Sequence, residues 1–280
     1  MCRASKFIFL ALVVSSSPGF GQWLNYPAAG APRTRDGKVN LSARAPRTRD
    51  GKPDLSGVWH VEVTSVAEMK RMLGEDVTKS DIPGMEIGTQ SKYAFNIFQD
   101  FKPADVPMRP EAAELFRRNG QAAATFGTDC SPYGFPLNTL LSEVMKMSQA
   151  PGLLVQMLEL DNTYRQIYTD GRKLPADPSP SWLGYSAGRW EGDLLVVETT
   201  GFNDRARLDL FGHPRSEAMH MTERYRRRDF GHLDADLTFD DPKLYTTPFS
   251  IKVTYLLQAD SDILEDFCVE NEKDRIHMQK

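Results

Sequence analysis

Three cysteines, five histidines and no apolar run near the ~20 residues needed to cross a bilayer narrow the field before any motif is read. An excess of cations is missing too. The 34 Lys and Arg stand against 38 Asp and Glu, for a net charge of -4 and an isoelectric point of about 5.8. Such a chain has no overall field to attract nucleic acid or anionic lipid. The mixed run Arg224 to Asp229 alternates in sign and lacks interleaved aromatic pairs, so it reads as solvated strand charge and no nucleic-acid partner is expected. His232, Asp234 and Asp236 share one strand face, yet no fourth ligand is evident, so neither a metal nor any other cofactor is expected.

What is present begins with Arg3 and Lys6, the apolar run Phe7 to Val14, and a small-residue stretch ending at Gly21. That order is the grammar of a secretory signal spanning 1–21, which places the mature protein in the periplasm or outside the cell, with no membrane span. Cys2 precedes the apolar run, where a lipoprotein cysteine would follow it. Removal of the signal leaves Cys130 and Cys268. In an oxidising compartment a disulfide between them is the simplest assignment, with two buried thiols as the alternative.

Residues 22–56 are rich in Pro, Gly and Arg and hold a doubled string, Ala31 to Ser42 and Ala45 to Ser56, each with the core A-P-R-T-R-D-G-K. Each copy carries an Asp-Gly turn and a single aliphatic anchor, Leu41 or Leu55, so neither can bury a core of its own. We read an arm that either lies along the domain or acts as a solvated linker, with basic residues able to touch anionic envelope polymers.

Residues 57–280 read as a single β-rich domain. Gly57-Val58-Trp59-His60-Val61 is the first strand, and from Leu153 the chain is almost continuously β. Runs at Leu153–Leu160, Tyr164–Thr169, Tyr185–Trp190, Leu194–Thr200, Ala218–Arg227, Leu233–Phe239, Ser250–Gln258 and Ile263–Cys268 are separated mostly by Asp, Asn and Gly turns. The fold class is therefore mainly β: an antiparallel meander of about nine strands forming a barrel-like or strongly curved sheet. A helical insertion covers about 65–126, where Pro110 and Glu111 open the clearest helix.

The motifs Pro53-Asp54-Leu55-Ser56-Gly57-Val58-Trp59, Cys130-x-Pro132-x-Gly134-x-Pro136, Tyr164 to Arg172, Gly188-Arg189-Trp190-Glu191-Gly192-Asp193, Gly201-Phe202-Asn203-Asp204, Gly212-His213-Pro214-x-Ser216, Thr222-Glu223-Arg224 and Cys268-x-Glu270-Asn271 fall in order along the chain. Together the chain resembles a large family of exported bacterial proteins to which no activity is assigned. Two positions depart from that pattern. Arg207 replaces an aromatic and Arg215 replaces a histidine, which implies an altered pocket if either touches a ligand. The Gly57-x-Trp59 opening is also similar to that of lipocalin-like, calycin-type barrels.

Gly184-Tyr185-Ser186-Ala187-Gly188 matches a hydrolase nucleophile elbow by letter, but prolines precede it and a hairpin follows where that elbow needs a strand and a helix. Ser186 therefore reads as a strand residue. The segment Asn203 to Arg224 is the richest polar cluster. Period two on its strand separates His220, Thr222 and Arg224 from Met219, Met221, Glu223 and Tyr225. Glu223, desolvated inside a barrel, would suit acid/base work; pairing with Arg165, Arg172 or Arg224 is the structural alternative. His213 would act as a base held by Asp204 or Asp209. Candidate ligand contacts are Trp59, Arg172, Tyr185, Asp209, Ser216, Met221, Arg224 and Tyr225. The leading expectation is a protein binding a small, partly apolar molecule in the barrel cavity. A periplasmic cofactor-independent hydrolase, lyase or isomerase is the second expectation, and a structural envelope protein the third.

Overall fold

Strict alternation of buried and open positions runs along β7 (His220–Arg227), β8 (His232–Asp240) and β9 (Phe249–Leu257). These are the longest strands of a closed nine-stranded barrel. The computed structural model describes residues 28–74, 90–121 and 130–266; the expected signal segment and Cys268, half of the expected disulfide, lie outside them. The remaining strands are β1 (Gly57–Val61), β2 (Met145–Ala150), β3 (Leu153–Leu158), β4 (Thr163–Tyr168), β5 (Tyr185–Glu191) and β6 (Leu194–Thr200). Each strand pairs with the next in sequence, and β9 returns to β1 through Trp59 opposite Leu257 and Val61 opposite Tyr255. Closure removes the sheet edges that would otherwise template pairing with another chain.

Three details differ from the strands read in sequence. β4 and β5 run parallel, through Ile167 opposite Ser186 and Tyr168 opposite Ala187. The chain 169–184 travels back to the other end of the barrel before β5 begins, and Pro175, Pro178 and Pro180 keep that stretch from adding a strand of its own. Residues 263–266 carry no strand. The barrel is completed by β2, a Met-Lys-Met-Ser-Gln-Ala segment with no β-branched or aromatic residue, which enters because Met145 and Met147 face the core.

The strands' direction gives the barrel two unlike ends. The described part of the arm, residues 28–56, folds across one of them and is not a solvated linker. Each copy of the doubled string makes the same small turn: Thr34 and Thr48 amides donate to the Lys38 and Lys52 carbonyls, and Arg33 and Arg47 reach the Gly37 and Gly51 carbonyls. Each arginine then docks on a turn of the barrel, Arg33 on Asp260 at 2.6 Å and Arg47 on Asp193 at 2.6 Å. Leu55 is fully buried, and Arg227 ties the strand end to the arm by donating to the Asp54 and Ser56 carbonyls.

Loops and helices cover the opposite end. The expected insertion holds α1 (Val66–Leu73), α2 (Lys92–Phe95) and α3 (Pro110–Gln121). Backbone bonds from Leu210 and Phe211 to Ala94 and Phe95, and from the Asn119 side chain to the Gly212 carbonyl, hold α2 and α3 against the loop between β6 and β7.

Candidate functional site

Inside the barrel the strand registers converge on one charged cluster. Arg165 on β4 forms a two-pronged ion pair with Glu223 on β7. Its other donors reach Ser186 Oγ at 2.9 Å, Thr199 Oγ1 at 2.6 Å and Gln156 Oε1 at 3.1 Å. The Tyr225 hydroxyl donates to Glu223 Oε1 at 2.5 Å, and the Phe135 ring lies 4.0 Å from the guanidinium. Both oxygens of the carboxylate and all three guanidinium nitrogens thus have partners, the condition under which a buried pair is tolerated. Burial would lower the Arg165 pKa, but the Glu223 charge more than offsets this and raises it. Burial first, then the same carboxylate, pushes the Tyr225 phenol well above its usual value.

This cluster takes the space in which a ligand was expected. Gln156, Ser186, Thr199, Glu223 and Tyr225 have no exposed surface, and Arg165 has 2%. A void wide enough for water would leave accessible area on its lining, so the barrel's middle is packed by its own side chains. The serine of the Gly-x-Ser-x-Gly string is one of the groups that fix Arg165. Gly184, at φ +69° and packed under Thr199, positions the start of that strand.

The loop end of the barrel is open. A cleft of about 780 Å³ forms between the β6–β7 loop, the β8–β9 loop, α3, Trp182 and the segment at Ser131, within the range of small-molecule sites. Buried carboxylates tie together the segments behind its walls. Asp209 accepts from the Ile97, Gly212 and His213 amides at 2.7, 2.9 and 3.0 Å and lies 2.5 Å from His213 Nδ1. Asp241 accepts from the Ser216 amide and hydroxyl at 2.7 and 2.8 Å. His213 itself is sandwiched, stacked on Phe116 at 4.2 Å and edge-on to Phe98 at 4.9 Å.

Arg215 forms the floor of the cleft and is 1% exposed. Its donors meet the Asn203, Trp182 and Phe135 carbonyls and Asn203 Oδ1, all neutral acceptors. Burial pushes its pKa down to about 9, partly offset by the charge of Asp204. Arg207 is also lowered, by burial, with Asp209 opposing.

The structure therefore distributes the candidate residues over several places. Asp204 and Ser216 line the cleft. Asp209, and not Asp204, holds His213 behind its wall. Glu223 and Tyr225 belong to the interior cluster, apart from His213, and Met221 is fully buried core. Trp59 closes the arm end, its indole N–H donating to Leu55 and its ring lying 4.8 Å from Arg227. Arg172 is exposed, paired with Asp170 and stacked on Tyr168, within 3.4 Å of the Tyr185 hydroxyl. Arg224 lies on the outer sheet face in a shallow groove beside Asp236 and Lys252. His232 is engaged by Asp229, and Asp234 by Arg228.

Sequence reasoning passed over Trp182, Arg118, Arg205 and Lys243, which complete the cleft from separate segments. Arg207 and Arg215 both line it. Fold and site together define a closed β-barrel with a packed interior and a polar cleft at one end. Comparison with family profiles, with curated proteins and with solved structures returned no match.

Proposed function

We propose that this is an exported binding protein that takes a small, partly apolar molecule in the cleft at the loop end of its barrel. One observation carries the reading: the open volume of about 780 Å³ sits at the end of the barrel, on walls held by Asp209 and Asp241. A rigid sheet carrying loops at one end is the common arrangement for recognition. Apolar surface comes from Trp182, Leu115 and Leu244, and polar anchors from the arginines and Ser216. The motif resemblance to exported bacterial proteins and the signal-like first 21 residues support a periplasmic or secreted location.

Mapping by ¹⁵N-resolved NMR against a library of small fragments tests the site. Saturable shifts at the Trp182 indole N–H and the amides of 204–216 are expected. Shifts confined to other parts of the barrel, or none, would overturn it.

A further inference from the structure

The charge that lines the cleft selects a class of occupant. Five cationic side chains, Arg118, Arg205, Arg207, Arg215 and Lys243, stand against Glu111 and Asp204. Among the described residues, Arg118, Arg205, Arg215 and Lys243 form no salt bridge. Their charges do not count equally. Arg215 is buried, and a charge held away from water is screened far less than one at the rim. Its hydrogen bonds are satisfied by neutral oxygens alone, which leaves a guanidinium charge beneath the cleft without a directly bonded counter-charge. Asp204, the carboxylate whose charge acts on Arg215, is exposed and accordingly screened. Low-dielectric walls focus the resulting positive potential into the opening.

The geometry of the apolar part is equally specific. The Arg205 guanidinium lies 4.6 Å from the Trp182 ring, so a flat cation is already stacked beside the indole at the rim. Guanidinium groups match planar or tetrahedral oxyanions with paired N–H donors, which an ammonium does not do.

Resting on the cleft reading above, we propose that the occupant is an oxyanion-bearing amphiphile. Its carboxylate, sulfonate or phosphate head is held by Arg205, Arg207 and Lys243 over Arg215, and its ring or hydrocarbon part lies against Trp182, Leu115 and Leu244. The buried floor charge supplies long-range attraction, and Arg205, Arg207 and Lys243 supply the hydrogen bonds.

Two fluorescent probes of similar shape separate charge from apolarity: 8-anilinonaphthalene-1-sulfonate, which is anionic, and N-phenyl-1-naphthylamine, which is neutral. The sulfonate is expected to bind at one site about tenfold or more tighter than the neutral probe in low salt, and to weaken as salt is added. The surface pair Arg205→Gln/Lys243→Gln should weaken the sulfonate about tenfold and the neutral probe less than twofold, with circular dichroism unchanged. A control pair on the outer sheet, Arg224→Gln/Arg226→Gln, should change neither. Equal affinity for the two probes, or sulfonate binding indifferent to Arg205 and Lys243, would overturn the anionic ligand while leaving the cleft to the NMR mapping. Failure of both probes would overturn the anionic amphiphile as well, again without deciding the cleft itself.

Discussion

Arg165 and Arg215 are both almost wholly buried, and they are held in opposite ways. Arg165 meets a carboxylate, two hydroxyls and an amide, so its charge is neutralised where it lies. Arg215 meets backbone carbonyls and one amide oxygen, so its donors are satisfied and its charge is not. Hydrogen bonding and charge compensation are separate requirements of a buried ion, and here they come apart. Phe135 touches both: its ring covers Arg165 and its carbonyl accepts from Arg215. The compensated arginine sits in a packed interior, and the uncompensated one sits under the open cleft. A guanidinium kept charged beneath a cavity is a ready partner for an anion, whereas one locked to a glutamate is a piece of scaffold.

The largest expected effect comes from breaking the compensated pair. Glu223→Gln strands Arg165 among neutral groups and should cost about 3–5 kcal/mol of stability in urea unfolding. Replacing both members, as Arg165→Met with Glu223→Leu, should return the protein to within about 2 kcal/mol of the parent, because the desolvation of two ions is removed together. A double variant no better than the single would show that the cluster's hydroxyls, and not its charges, hold the barrel.

Arg215→Met should cost less, about 1–3 kcal/mol, since it leaves carbonyls without donors but removes a buried charge. A loss as large as that of Glu223→Gln would erase the distinction between the two arginines.

A half-buried acid beside the same Phe135 segment sharpens the comparison through pH. Burial raises Asp161 to about 6 from an ordinary 3.8, while the Tyr133 amide works against the rise. The folded protein therefore binds this proton more tightly than the unfolded chain. Stability from this group is complete below about 3.8, falls as pH rises towards 6, and is level above that. Asp161 is partly open to solvent, so the fall is about 1–2 kcal/mol, less than the full shift implies. Asp161→Asn should tolerate the φ of +67° at this position and remove that part of the pH dependence, measured as unfolding midpoints from pH 4 to 7; a parallel profile in parent and variant would refute the assignment.

The smallest effect is expected at the arm end. Arg47→Gln removes an exposed ion pair with Asp193. It should leave the thermal midpoint unchanged within error, because solvent already screens that charge. A clear drop would mean that the arm's docking, and not the loop end, is the sensitive part of the molecule.

The barrel was legible where alternation was strong. Met221, Glu223 and Tyr225 fall on the inner face of β7 as the period of two requires, and Arg165 is in phase with Ile167 on β4. That phase was the available sign that Arg165 points inward with Glu223. β2 was hidden, because Met-Lys-Met-Ser-Gln-Ala has no strand-forming composition and its place is set by packing on β1 and β3. The parallel seam between β4 and β5 was hidden as well, since the direction of a strand after a long connection is not a local property. The cleft was half-visible. The β6–β7 loop stood out as a polar cluster, but Trp182, Arg118 and Lys243 lie in three other segments, and nothing in their spacing brings them together.

Sequence alone determined the strand period, the turn positions and the composition of the inner faces, because these follow from local geometry and from which side chains avoid water. Tertiary structure decided which buried charge met a counter-charge. Closure and register bring β4 opposite β7 inside the barrel, giving Arg165 its glutamate, while the loop end gives Arg215 only the carbonyls of three separate segments and one amide oxygen. Partnership between residues 58 positions apart, as with Arg165 and Glu223, is a property of the closed sheet and not of either strand.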